Sequence, residues 1–149
     1  YDSTADPGET PYYVTRVDPM ADVSTTGTWT INGGSPDNHS ALESPFNSGT
    51  SVQNDPTTAG NDVVVSTTNL ATQLGTTPTT IASVTIHTWA TGSGVDGRAE
   101  LSDNGGAYVA GNTITPSVNA TYSYAHSITQ PSGGPWISSS DIFYKYEVI

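Results

Sequence analysis

The sequence predicts an all-β protein: one antiparallel β-sandwich of jelly-roll or related topology, with about eight short strands behind an extended N-terminal arm. Three observations predict it. The 149 residues include 24 Thr and 18 Ser but only four Leu, at positions 42, 70, 74 and 101. A helical bundle draws on Leu, Ala, Glu and Lys in quantity, so that class is excluded. β-Branched and aromatic residues recur with period two in short runs. Between the runs, 15 Gly and 10 Pro supply turn formers. The hydrophobic fraction is 34%, yet eight Tyr and three Trp each bury a large area, so a thin core suffices. The length fits one domain: residues 23–149 form the sandwich and 1–22 the arm.

The arm holds Pro7, Pro11 and Pro19 and five acids, without sustained periodicity. Tyr12, Tyr13 and Val14 form its one sticky stretch. Flanked by prolines, they could add a strand to an exposed sheet edge. The chain opens on Tyr1, read as a removed leader or a trimmed start. Residues 23–31 (VSTTGTWTI) make the first strand, closed by Asn32-Gly33-Gly34. A long Asn/Ser/Gly/Pro-rich stretch follows, with short strands expected near Ala41-Leu42 and Thr50–Val52. Residues 62–67 (DVVVST) are a β-branched strand. Residues 69–73 offer one helical turn in a loop. Residues 81–90 (IASVTIHTWA) are the clearest strand. Val84, Ile86, Thr88 and Ala90 share one face, and Ser83, Thr85, His87 and Trp89 the other. Both Trp29 and Trp89 lie within strands and are expected in the core. Residues 96–110 form a hairpin around Asn104-Gly105. Residues 118–128 form another strand, followed by the loop at 130–135 (QPSGGP). The chain closes on 142–149 (IFYKYEVI), with Ile142, Tyr144, Tyr146 and Val148 on one face.

The order of strands and loops in the second half resembles a known group. A strand introduced by Thr-Pro-Thr-Thr leads to a hairpin carrying Asp103-Asn-Gly-Gly. Then come Tyr122-Ser-Tyr124, the loop Pro131-Ser-Gly-Gly-Pro-Trp136 and the step Ser140-Asp141-Ile142. Over residues 62–149 this resembles jelly-roll virion structural proteins of tailed bacteriophages and related viruses, decoration and fibre proteins among them. The resemblance implies a head decoration, head-fibre or tail-associated protein on the virion surface. It implies a homo-oligomer, a trimer being one option, in contact with the major capsid protein or a neighbouring virion subunit. It carries over no functional residues. Read without the family, Trp136 packs over one end of the sandwich, and Asp141 binds backbone N–H groups of the adjacent turn.

Charge and chemistry narrow the function. Three Lys+Arg stand against 14 Asp+Glu, a formal net charge of -11. Three cations cannot neutralise the roughly six to ten phosphates of a nucleic-acid interface, so direct nucleic-acid binding is excluded. No apolar run approaches the roughly 18 residues of a membrane helix. Without cysteine, no disulfide or thiolate site forms. His39, His87 and His126 have no pair spacing suited to a metal. No Gly-x-Ser-x-Gly elbow occurs. The loops at 54–62 and 96–104 hold Asp and Asn as turn formers more readily than as calcium ligands. Asn38-His-Ser40 and Asn119-Ala-Thr121 match the glycosylation pattern, as expected by chance in a Ser/Thr-rich chain. Lys145 is the only lysine, read as facing solvent rather than as one end of an isopeptide link. Without lysines at sheet edges, bulges, prolines or neighbouring subunits must cover them.

The sequence therefore leads to a non-enzymatic protein with no catalytic, cofactor or metal residues. It is expected to work by assembly, as a capsid decoration or head-fibre component. Two alternatives stand beside it. One is an extracellular carbohydrate-binding module using Trp89 or the Tyr108 region. The other is a secreted filament subunit joined by strand donation.

Overall fold

The computed structural model describes residues 17–42, 51–54, 58–77, 80–92, 95–103, 106–116, 121–127, 129–130, 133–137, 139 and 141–149, with the backbone alone for 121–127. Its elements are β1 (Ala21–Thr26), β2 (Trp29–Asn32), α1 (Asn38–Leu42), β3 (Ser51–Asn54), β4 (Asp62–Ser66), α2 (Leu70–Leu74), β5 (Val84–Ala90), β6 (Gly97–Asp103), β7 (Tyr108–Ile114), β8 (Thr121–Ser127) and β9 (Ile142–Val148). All strand pairs are antiparallel. Five strands make one sheet in the order β1-β4-β9-β6-β7, and two ribbons, β2-β3 and β5-β8, complete the protein.

Alternation builds the core. The register sets Leu101 against Tyr144 and Ala99 against Tyr146 across β6 and β9, with Val65 and Val63 continuing that face on β4. Leu101, Ala99 and Ile142 are fully buried. The β5-β8 ribbon is the second layer: Val84 and Ile86 of β5 pack against the cluster of Leu70, Leu101, Trp136 and Ile142. The fold is thus an all-β sandwich, as the period-two pattern predicts. The two four-stranded layers of a jelly roll are not formed among the described residues.

Local chemistry explains where the elements fall. The expected first strand splits in two at Gly27, whose φ of 83° ends β1 and whose open face is filled by the Asn61 side chain. Asn61 in turn donates to Asn54 Oδ1 at 3.1 Å, and Asn54 donates to Thr28 O at 2.7 Å. In the 54–62 loop these amides pin the turn. The strand expected near Ala41-Leu42 is instead the helix α1, capped by Asp37, which accepts from Ser40 N at 3.0 Å. At α2, Asn69 accepts from Thr72 N at 2.9 Å, and Gly75 closes the helix in the left-handed conformation. The fold also begins earlier than the periodicity indicates. Val17 packs against the core, Met20 N donates to Ser66 O at 2.8 Å, and β1 opens at Ala21.

Candidate functional site

Three places gather chemistry-bearing side chains. The first is the sheet face away from the core. The register sets Glu100 opposite Lys145 and Arg98 opposite Glu147 on β6 and β9. Glu100, only 4% exposed, divides its carboxylate: Oε1 lies 2.7 Å from Arg98 Nε and Oε2 2.6 Å from Lys145 Nζ. Glu147 Oε2 meets Arg98 at 3.3 Å and Lys145 at 3.1 Å. The Lys145 ammonium also stands over the Tyr108 ring of β7, 4.7 Å from its centroid. Lys145 therefore does not face free solvent, contrary to expectation: it is the hub of a four-charge network. Burial alone would lower its pKa, but hydrogen bonds to Glu100 and Glu147 overturn this and raise it. A charged amine is no nucleophile, so the arrangement disfavours an isopeptide role.

This network sets a pH dependence. Burial pushes the Glu147 carboxyl up, but the Lys145 hydrogen bond and charge, with Arg98 behind them, outweigh burial and hold it below the ordinary 4.5. A carboxyl with a depressed folded-state pKa stabilises above its unfolded value and loses that contribution as pH falls through the folded one. Thermal melts from pH 7 down to pH 3 are expected to show stability fading below about pH 4.5. The Glu147→Gln variant should show a shallower decline. An equally steep decline in the variant would assign the acid sensitivity to other carboxylates.

The second place joins β1 to α1. Asp22, Asp37 and His39 each offer a ligand atom within 4.8 Å of the others. The periodicity gives no sign of this group, because Asp22 lies in another element. Its oxygens are already in use. Asp22 Oδ2 accepts from Asn38 N and Asn38 Nδ2, both at 3.1 Å, and Oδ1 accepts from His39 N at 2.7 Å. His39 Nδ1 lies 3.1 Å from Asp22 Oδ1 and 3.2 Å from Asp37 Oδ1. Two carboxylate oxygens cannot bond to a ring lone pair, so Nδ1 carries a proton shared between them. Hydrogen bonds from the Ser40 side chain and backbone hold the Asp37 carboxyl below its usual range. A cation here would have to displace the groups that cap α1. The arrangement explains why a five-residue helix forms.

The third place is the outer face of the β5-β8 ribbon. Burial alternates strictly along β5. Val84 and Ile86 face the core, while Thr85, His87 and Trp89 are exposed. Trp89 is 48% exposed, which corrects the expectation that it is a core residue. Strand periodicity separates two faces without saying which is buried. Trp29 is half-buried, and its indole N–H donates to Thr26 O at 3.0 Å, so it too lies outside the main core. The register places Tyr122 opposite Trp89, Tyr124 opposite His87 and His126 opposite Thr85.

The remaining expected site residues are placed as follows. Trp136 is buried within the core cluster and bridges to Ile81. Asp141 is half-buried immediately before β9. The turn it was expected to bind includes residues 138 and 140, outside the described residues. Tyr12, Tyr13 and Val14, the Asn104-Gly105 turn and Asn119 also lie outside them. Among the described residues no helix is long and apolar enough to cross a membrane, which says nothing of strands. Compared with known proteins, the chain matches no family model, no curated protein and no solved structure.

Proposed function

We propose that the chain is a non-enzymatic structural protein that acts by assembly, as a decoration or head-fibre component on a virion surface. The virion part rests on the strand order and loop chemistry of residues 62–149. The assembly part is supported by one observation, the edge of the five-stranded sheet. Of its two outer strands, β7 has β8 packed beside it. β1 pairs with β4 alone among the described residues, and all six of its residues are exposed. No lysine or proline guards it. The bulge at Val23 blunts its start but leaves Ser24, Thr25 and Thr26 in regular register. Met20 and Val23 add exposed apolar surface at the same end. Such an edge accepts a strand from another subunit. The segment at Tyr12-Tyr13-Val14 is the natural donor.

Edge charges test this reading. Val23→Lys with Thr25→Lys places two cations on exposed positions of β1, a change that tolerant surface sites absorb within about 0.5 kcal/mol. The wild-type chain is expected to sediment as an oligomer, and the variant as a monomer with an unchanged melting temperature. A monomeric wild type, or a variant that still associates, would contradict assembly through β1. Association that survives deletion of residues 1–16 would remove the arm from the mechanism while leaving the edge in place.

A further inference from the structure

We propose that the N-terminal arm is exchanged between copies: Tyr12-Tyr13-Val14 of one chain fills the β1 edge of a second copy and cannot fill its own. This deepens the assembly reading and rests on it. The constraint lies where the arm enters the fold. Val17 packs against the core cluster. Gln73 of α2 donates to Asp18 O at 3.5 Å. Pro19 is buried. Met20 N donates to Ser66 O at 2.8 Å, which carries the contact with β4 one residue ahead of β1. Residues 17–20 are thus fixed in line with β1, and they make no turn or bend. Any reversal of the chain has to come before Val17.

Register then decides what the arm can offer its own chain. A hairpin pairs residues equidistant from its turn. With a two-residue loop at Thr15-Arg16, Val14 would face Val17 and Tyr12 would face Pro19. The sticky stretch would lie beside residues 17–19, short of β1 at Ala21–Thr26. The segment set against β1 would be residues 5–10, Ala-Asp-Pro-Gly-Glu-Thr, with Pro7 opposite Ser24. Pro lacks a ladder N–H and Gly has no side chain to pack, so this is a poor donor strand. A longer loop draws Tyr12-Tyr13-Val14 further still from β1. Reach gives the same result. Three residues span at most about 11 Å, so Val14 stays within that radius of Val17. Ser24 lies seven residues along an extended path, roughly 20 Å away. A second copy meets neither limit. Its arm approaches the edge from outside and can set Tyr12, Tyr13 and Val14, all strand formers, against Ser24–Thr26, the part of β1 in regular register. Exposed Met20 and Val23 at the same end give the tyrosine rings apolar surface to cover. The clamp that aligns β1 therefore directs the arm outward.

Two sets of full-length variants test this by sedimentation, with melting curves to show that each is folded. Tyr12→Gly, Tyr13→Gly and Val14→Gly together disable the donor. Val23→Lys with Thr25→Lys disables the acceptor edge. Each chain alone is expected to be monomeric. Mixed, they should form a one-to-one complex, because the intact arm of the edge variant meets the intact edge of the arm variant. The second set inserts twelve Gly/Ser residues between Arg16 and Val17. This linker permits the reversal, spans about 19 Å and presents the arm to its own edge at an effective concentration of about millimolar. The linker chain is expected to be a monomer that no longer recruits the edge variant, its own edge being filled. An oligomeric wild type that the linker leaves unchanged, or a mixture that stays monomeric, would overturn arm exchange and leave assembly to another surface. A monomeric wild type would overturn the assembly reading itself, and arm exchange with it.

Discussion

Replacing Trp136 with alanine is expected to destabilise the protein by about 4 kcal/mol and to lower its melting temperature by roughly 8–16 °C. The indole is 3% exposed and packs with Leu70, Leu101 and Ile142, where the two layers and α2 meet. It enters from the loop before β9 and bridges to Ile81, just ahead of β5. One side chain therefore ties the ribbon to the five-stranded sheet, and the cavity it leaves cannot be filled by a single neighbour. The comparison that isolates this effect is Trp89→Ala. The same atoms leave a site that is 48% exposed, and the cost should stay at about 1 kcal/mol. Denaturant titrations of both variants measure the contrast. Equal losses would mean that the ribbon does not pack as described.

The second large effect is expected at Glu100. Glu100→Gln keeps the shape but removes the charge that two cations share, and its amide turns a donor toward Arg98 or Lys145. Removing one partner from a buried ion pair costs about 3–5 kcal/mol. Arg98 and Lys145 are 33% and 17% exposed and keep Glu147 as a partner, so about 2 kcal/mol is the discounted expectation. Adding Lys145→Met should recover part of that loss, because a cation left short of a counter-charge is the main source of the penalty. A double-mutant cycle by chemical denaturation reads the coupling. Strict additivity would show that the network is energetically idle.

The parts of the fold carried by alternation were legible in the sequence. The faces of β5, β6 and β9 follow from period two: Val84 with Ile86, Ala99 with Leu101, and Ile142 with Tyr144 each lie together on the core side. What failed depends on contacts distant in sequence. Residues 38–42 carry no helical periodicity. Their helix is held by Asp22, which reaches Asn38 and His39 from 16 and 17 residues away. The charge network was written in the sequence as two i, i+2 pairs, Arg98 with Glu100 and Lys145 with Glu147. Charges at alternate positions of otherwise apolar strands were the available signal, and only the register of β6 on β9 makes them one cluster. The exposure of Trp89 was illegible for another reason: both faces of β5 carry large side chains, and only the core cluster shows that Val84 and Ile86 won the interior.

Assembly into a particle is the central functional claim, and its direct test is to fractionate the native source on a density gradient and locate this chain by mass spectrometry. Co-migration with particles that contain nucleic acid is the expected result, and it would turn attention to the position of β1 on the capsid or tail. Recovery only as a small soluble species would contradict the claim. Migration with nucleic-acid-free fibres would contradict its virion part and leave a filament subunit in its place.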